Sequence, residues 1–519
     1  MKRVILKLAF VIVLLLVSSV FIFSAPPMPG LNLKEPQRNR IPFAVNVEVG
    51  DRIVKRSLVD EQSSPSINLA PRGLLILANF SDTTFAAVNT QQAFDSLANG
   101  MDYSYNGATG SCKAYFTEQS NGQYSPCFDV IGPVKLPHTS AYYGTDIENE
   151  EGNDRYVVDF VVDACKEADK LGVDFTQYDN DGDGVVDFVY IIYAGFGQAD
   201  GGAESTIWPH NWDLLSALYY KNTNQTEYYA YYDENDSLNY NLPMLDGKKL
   251  YTYACSNELK YSTKLRSGIG LICHEFSHVL GLPDYYITNY SYTNFEKYTP
   301  GAWSLMGYGN YLNGGNTPPN FSVYDKYYLG WLEPQVLNKA GEYQLNADGE
   351  SGYLLAKNDV HVEEGAYRAD TVYYIENRQK EGWDEYLPGH GMLIWRVMYD
   401  AKKWYDNSPN DFKTRYRLMC AQDGDYPYIT SGEKQEVPFP GSTNQTKFSG
   451  FEANGLENIQ ETSDGVITFT FYTENKTPVE NVGVSVGSSS VWYNVLGHPI
   501  DPAVYKGIGI KDGKKYLLK

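Results

Sequence analysis

The sequence predicts an α+β fold, with buried strands and amphipathic helices in its first part and short strands in its second. Three observations carry this. Leu74-Leu-Ile-Leu-Ala-Asn-Phe80 is an apolar run of the length of a strand covered on both faces. Val157, Val161, Ala164 and Ala168 recur at helical spacing within residues 153–171. Past Trp331 come short runs read as alternating, such as Thr371-Val-Tyr-Tyr-Ile375, Met392-Leu-Ile-Trp395 and Val466-Ile-Thr-Phe-Thr-Phe471, divided by Gly, Asp and Asn, which is the pattern of a β-sandwich.

Taken in order, Lys2, Arg3 and Lys7 precede an apolar run over residues 8–23, and the small residues Ser24 and Ala25 follow. That is the charged, hydrophobic and cleavage-region order of a signal peptide, here residues 1–24. The run is shorter than the ~20 residues of a spanning helix, and Pro26 and Pro27 end it, so no stable membrane insertion is expected after cleavage. No cysteine lies nearby to take a lipid, so the chain is expected to be secreted or at the cell surface. Residues 25–72, rich in Pro and polar residues with basic steps at Lys55-Arg56 and Arg72, read as a pro-segment. A first large domain, 73–335, follows with a strand at 73–80, helices at 91–98 and 113–120, a strand at 124–134, the helix at 153–171 and a strand at 185–194. Between Trp208 and Tyr253 the pattern dissolves into Asn, Asp and Tyr, read as a cleft roof whose tyrosines could grip a ligand. Residues 336–474 form the β-sandwich-like domain. Residues 475–519 are a linker and tail that resembles short C-terminal sorting signals of some secreted proteins.

With 519 residues the chain can bury a large core without covalent staples. Its six cysteines show no Cys-x-x-Cys spacing; Cys112 and Cys127, which flank a helix-to-strand connection, are expected to pair outside the cytoplasm. The formal charge of −22 becomes −25 once the signal peptide takes Lys2, Arg3 and Lys7 with it, which disfavours nucleic acid and anionic membranes as partners.

Chemistry concentrates in His274-Glu275-Phe-Ser-His278-Val-Leu-Gly281-Leu-Pro-Asp284. Two histidines four apart share a helix face and can converge on one metal ion, with Glu275 beside it. Gly281 lets the helix end in a left-handed turn and Pro283 forbids its renewal, so Asp284 can swing back as a third ligand. A zinc ion held by two His and one Asp keeps a position open for water, and the Glu275 carboxylate can take that water's proton and pass it to a leaving amine. Ser267 is the expected helix cap, and Ile272, Phe276, Val279 and Leu280 its buried stripe.

A second chemical segment is Asp179-Asn-Asp-Gly-Asp-Gly-Val-Val-Asp187. Asp179, Asp181, Asp183 and Asp187, with Val185 supplying a carbonyl and glycine at the sixth position, follow the first nine positions of a calcium loop. Tyr190 stands where a bidentate Glu would close it, so other oxygens or water must complete the site.

Downstream, Trp303-Ser-Leu-Met306-Gly-Tyr308 resembles the Met-turn of metzincin-type zinc peptidases. The resemblance implies that Met306 floors the metal and that Tyr308 assists the oxyanion. Tyr115-Phe-Thr-Glu-Gln-Ser-Asn-Gly122, Tyr142-Tyr-Gly144, the Asp-rich loop, Ile207-Trp-Pro-His210 and Tyr327-Tyr-Leu-Gly-Trp331 come in the order seen in immune inhibitor A-like secreted metallopeptidases, which the chain resembles over about residues 73–449. Arg396 departs from that pattern, where a His is expected after Trp395. The resemblance implies a metzincin-like catalytic domain and a secreted, calcium-stabilised zinc endopeptidase acting on protein or peptide substrates. Two other readings compete. One is a surface adhesin or glycan-binding protein with a vestigial peptidase domain; the other is a zinc hydrolase of a different bond. A binding module has no need of Glu275, which weighs against the adhesin.

Overall fold

The computed structural model describes residues 71–473 apart from 181, 289–298, 357–370, 412, 420, 422–436, 443 and 452–453. Outside that span it describes the strands Phe23–Ser24, Trp492–Asn494, Pro499–Ile500, Gly507–Lys511 and Lys514–Leu518. The signal-peptide and pro-segment readings and the 475–490 linker lie almost wholly outside the described residues. The chain divides into two compact units, Met1–Tyr472 and Thr473–Lys519. In the second, the four C-terminal strands form one sheet.

The frame of the first unit is a mixed sheet of β1 (Arg72–Asn79), β2 (Cys127–Lys135), β3 (Val189–Phe196), β4 (His210–Asp213) and β5 (Thr252–Leu259), in the spatial order β2-β1-β3-β5-β4, with Phe23–Ser24 on the β4 edge. β1 runs parallel to β2 and β3, and β3 parallel to β5; β4 alone pairs antiparallel to β5. Because side chains alternate across a strand, the apolar runs of β1 and β3 feed two cores. Leu74, Ile76, Val189 and Ile191 pack with Val157, Val161, Ala164 and Ala168 of α3 (Val157–Asp169). Leu75, Leu77, Tyr190 and Ile192 face a second core that holds α1 (Gln91–Asn99), α2 (Cys112–Gln119) and α4 (Gly270–Val279). In that core Phe276 of α4 meets Phe116, Phe128 and Phe188 edge-on at 5.1–5.5 Å between ring centroids. Each such buried ring contributes about 1.5–3 kcal/mol.

Four local expectations are corrected. The strand read at 185–194 is broken: Val185–Val186 pairs with Lys249 and Leu250 in a separate small sheet, and β3 begins at Val189. β5 went unread because Ser256, Asn257 and Glu258 make it look like a loop; they are buried and bonded, Glu258 accepting from Ala86, Asn89 and Gly195. Ser267 does not cap α4; its amide donates to the Glu258 carbonyl and the helix starts after Ile269. There Gly268 and Gly270 press against the carbonyls of Gly315 and Asn310, so close that a Cβ would stand 2.2 and 2.0 Å from them. Backbone packing fixes this helix start in place of a side chain. Finally, Cys112 and Cys127 are both free thiols, and the Cys112 sulfur lies instead in hydrogen-bonding contact with Cys273 of α4, while Cys127 opens β2.

The strands of the second half form two sheets. One runs Gln335–Val336, β7 (Tyr353–Ala356), β8 (Val372–Arg378), β9 (Gly391–Val397), β10 (Tyr416–Leu418); the other runs β6 (Gly341–Leu345), β13 (Ile467–Thr473), β12 (Asn454–Glu461), β11 (Phe448–Phe451). Tyr373, Ile375, Met392 and Ile394 of the first sheet share a core with Leu456, Ile459, Ile467 and Phe469 of the second. Its opposite face, with Tyr374, Leu393, Trp395, Val397, Tyr416 and Leu418, joins the core that contains Cys273, Phe276 and Met306. A buried guanidinium reinforces this seam: Arg378 donates to Asp384 at 2.9 Å and to the Phe321 carbonyl at 2.8 Å and pairs with Glu376 at 3.1 Å. Glu376 also accepts from Val323, the first residue of α5 (Val323–Tyr328), at 2.9 Å. The position 335/336 read as a domain boundary therefore falls inside one compact unit. Among the described residues no helix is long and apolar enough to cross a membrane.

Candidate metal centre

α4 carries His274 and His278 on one face, and the turn after it brings the third group back. The Gly281 amide donates to the His278 carbonyl and the Leu282 amide to the Ser277 carbonyl, with Gly281 at φ 96°, the paired bonds of a Schellman stop. That geometry needs glycine. It returns the chain so that Asp284 Oδ1 stands 3.2 Å from His274 Nε2 and 3.5 Å from His278 Nε2. The three side chains offer ligand atoms that all lie within 4.8 Å of one another.

Those separations test the fit to zinc. Bonds of about 2.0–2.1 Å at tetrahedral angles put neighbouring ligand atoms about 3.3–3.4 Å apart. Tautomer and orientation agree: His274 Nδ1–H donates to the Leu305 carbonyl at 2.9 Å and His278 Nδ1–H to the Leu282 carbonyl at 2.8 Å, leaving both Nε2 lone pairs to face Asp284. The residues fit the ion.

Electrostatics point the same way. Burial pushes the Asp284 carboxyl above the usual carboxylate range, against the pull of His274, Asn407 and Tyr286. Burial would lower the His274 pKa, yet Asp284 and Glu275 outweigh it and hold it up. A negative field at the imidazoles is what a cation site requires. Glu275, fully buried, is near enough to His274 for its charge to be felt there.

Met306 is fully buried and its carbonyl accepts from the Tyr285 amide at 2.8 Å, so the turn that carries it is tied to the chain just past Asp284. Tyr308 is nearly buried and its ring stacks on Tyr286 at 6.0 Å. Tyr286 in turn hydrogen-bonds Asp284. Tyr286 and Asn407 escaped the sequence reading. The first adjoins the motif but looks like any tyrosine of a Tyr-rich stretch; the second is 123 residues from its partner and carries no local signal.

The acidic loop stands apart from this centre. Lys248 Nζ lies 2.5 Å from the buried Asp179 carboxylate, Asp187 accepts from the Asn180 amide at 2.5 Å, and Asp183 from the Val185 amide at 2.8 Å. Asp181 lies outside the described residues.

A helix that presents two histidines and a glutamate, closed by a returning aspartate, is an arrangement able to hold a metal ion, and the chain is similar to peptidases. Residues 77–332 match the family described as immune inhibitor A peptidase M6, catalytic domain. It is 29 % identical over 234 residues to Immune inhibitor A of Bacillus thuringiensis subsp. alesti, covering 41 % of this chain and 31 % of that protein. It is 25 % identical over 250 residues to the Pre-pro-metalloprotease PrtV of Vibrio cholerae serotype O1, covering 44 % of this chain and 25 % of that protein. The chain thus spans less than a third of the length of either relative.

Proposed function

We propose that this protein is a secreted zinc endopeptidase that hydrolyses peptide bonds of protein substrates. The observation that carries this is the convergence of His274, His278 and Asp284, with Asp284 Oδ1 3.2 and 3.5 Å from the two Nε2 atoms, and Glu275 on the same helix. Bound zinc supplies Lewis acidity to the attacking water and to the substrate carbonyl. Glu275 accepts the water's proton and delivers it to the leaving amine. We assign Tyr308, whose ring stacks on Tyr286, as donor to the developing oxyanion and the buried Met306 as the apolar floor. We assign residues 1–24 and 25–72 as signal peptide and pro-segment, a reading supported by the name of the Vibrio relative, a pre-pro-metalloprotease. The zinc domain is assigned to 73–335 with a metzincin-like fold, the sandwich-like part to 336–474 and the tail to 475–519. The mature chain should digest casein, lose that activity in a zinc chelator and regain it on zinc addition. Casein left intact at full zinc occupancy refutes the peptidase and favours a hydrolase of another bond or a binding protein.

We also propose calcium at the loop of Asp179, Asp181, Asp183, Val185 and Asp187. Four carboxylates in nine residues repel one another without a cation, and Lys248 pairs with one of them, Asp179. Calcium would have to displace Lys248 from Asp179. The loop ends two residues before β3, so its order bears on the central sheet. Calcium added to chelator-treated, zinc-restored protein is expected to raise the melting temperature by several degrees. An unchanged melting temperature means that Lys248 and the internal hydrogen bonds hold the loop by themselves.

A further inference from the structure

We propose that Asn407 is a positioning residue for the metal ligand Asp284, so that the metal centre is completed from outside the matched catalytic stretch; this rests on the zinc reading above. Asn407 follows α6 (Ala401–Tyr405), in the connection between β9 and β10. Its amide makes a two-way contact with Asp284: the Asp284 N–H donates to Asn407 Oδ1 at 2.6 Å, and Asn407 Nδ2 donates to Asp284 Oδ2 at 2.7 Å. Both residues are fully buried. With Oδ2 held this way, Oδ1 is the oxygen that faces the two imidazoles.

The residue type matters. Only a side chain with both a donor and an acceptor can hold the backbone and the carboxylate of one residue together. Aspartate could keep the first bond but would set a second carboxylate against Asp284 in place of a donor. Asn407 also sits at φ 50°, a left-handed conformation that asparagine tolerates better than most residues.

Its neighbours turn this contact into a clamp. Asn410 Nδ2 donates to the Tyr285 carbonyl at 2.8 Å, while Asn410 Oδ1 accepts from the amides of Arg415 and Tyr416 at 2.8 and 2.9 Å. The Thr288 amide donates to Asp411 at 2.9 Å, and its hydroxyl to the Asn407 carbonyl at 3.1 Å. The segment 407–411 thus grips 284–288 at several points, all of it past residue 332, where the family match ends. Hydrogen-bond partners of metal ligands typically set 10- to 100-fold in metal affinity.

The test uses the full mature chain with Asn407→Asp and Asn407→Gly, both compatible with the positive φ, beside Asp284→Ala. Apoprotein is titrated with zinc against a chromophoric competitor, the cobalt-substituted absorption spectrum is recorded, and apoprotein melting is followed. Zinc affinity about 10- to 100-fold weaker in both Asn407 variants, with altered cobalt bands, is the expected result. Wild-type affinity and unaltered bands in both variants overturn the proposal, including where apoprotein melting falls, because Asn407 is then only a structural tie. Failure of both variants to fold overturns it in the same way. Asp284→Ala holding zinc like the wild type overturns it by another route, because the ligand set itself is then wrong.

Discussion

Glu275→Gln is expected to lower peptidase activity by about a hundredfold or more while zinc remains bound stoichiometrically. Glutamine keeps the size and much of the hydrogen-bonding capacity of the side chain but cannot accept the proton. The three ligand side chains and the hydrogen bonds from both His Nδ1 atoms to the Leu305 and Leu282 carbonyls are untouched by this change. Fold and metal should therefore survive, and the loss should fall on turnover. Casein hydrolysis and metal analysis on the same sample decide it. Activity within tenfold of wild type would remove Glu275 from the role of general base.

Asp284→Ala should act on the metal instead. It removes the one anionic ligand and leaves two imidazoles, a donor set too poor to hold zinc against dilution, and the expected fall in affinity exceeds about a hundredfold. It also removes the hydrogen bond that Asn407 Nδ2 donates to the Asp284 carboxylate, at a cost of about 1–3 kcal/mol in stability. Metal analysis after gel filtration should find the variant nearly zinc-free. Near-stoichiometric zinc would mean that another side chain is the third ligand.

What could be read in the sequence follows from how far apart in the chain the contacts are made. The helical repeat converts a spacing of four into a shared face, and the Gly281 stop converts a spacing of six into a return, so His274, Glu275, His278 and Asp284 were legible from one short string. β1 and α3 were legible because burial on one or both faces leaves a run or a stripe. Buried polar residues deceive that logic: β5 hides behind Ser256, Asn257 and Glu258, whose partners come from distant loops. Met392-Leu-Ile-Trp395 holds the subtler lesson. Apolar at every position, it has both faces covered, whereas its reading as one of the alternating strands of a sandwich expects only one covered face. Asn407 is the extreme case, since nothing around it in the chain refers to position 284.

The sheet of β7 to β10 therefore constrains how chains of this kind can be inherited. Recombination readily exchanges segments that meet only through a flexible joint. Here a crossover near residue 332 would join the candidate metal-binding helix to a stranger's sheet, and it would have to match the aromatic wall of Trp395 and Tyr416 and an asparagine at the right height at once. Few foreign partners would do so. The stretch past the family match should then travel with the half that carries α4 as a single cassette, and variation should collect in the other face of the sheet and beyond it.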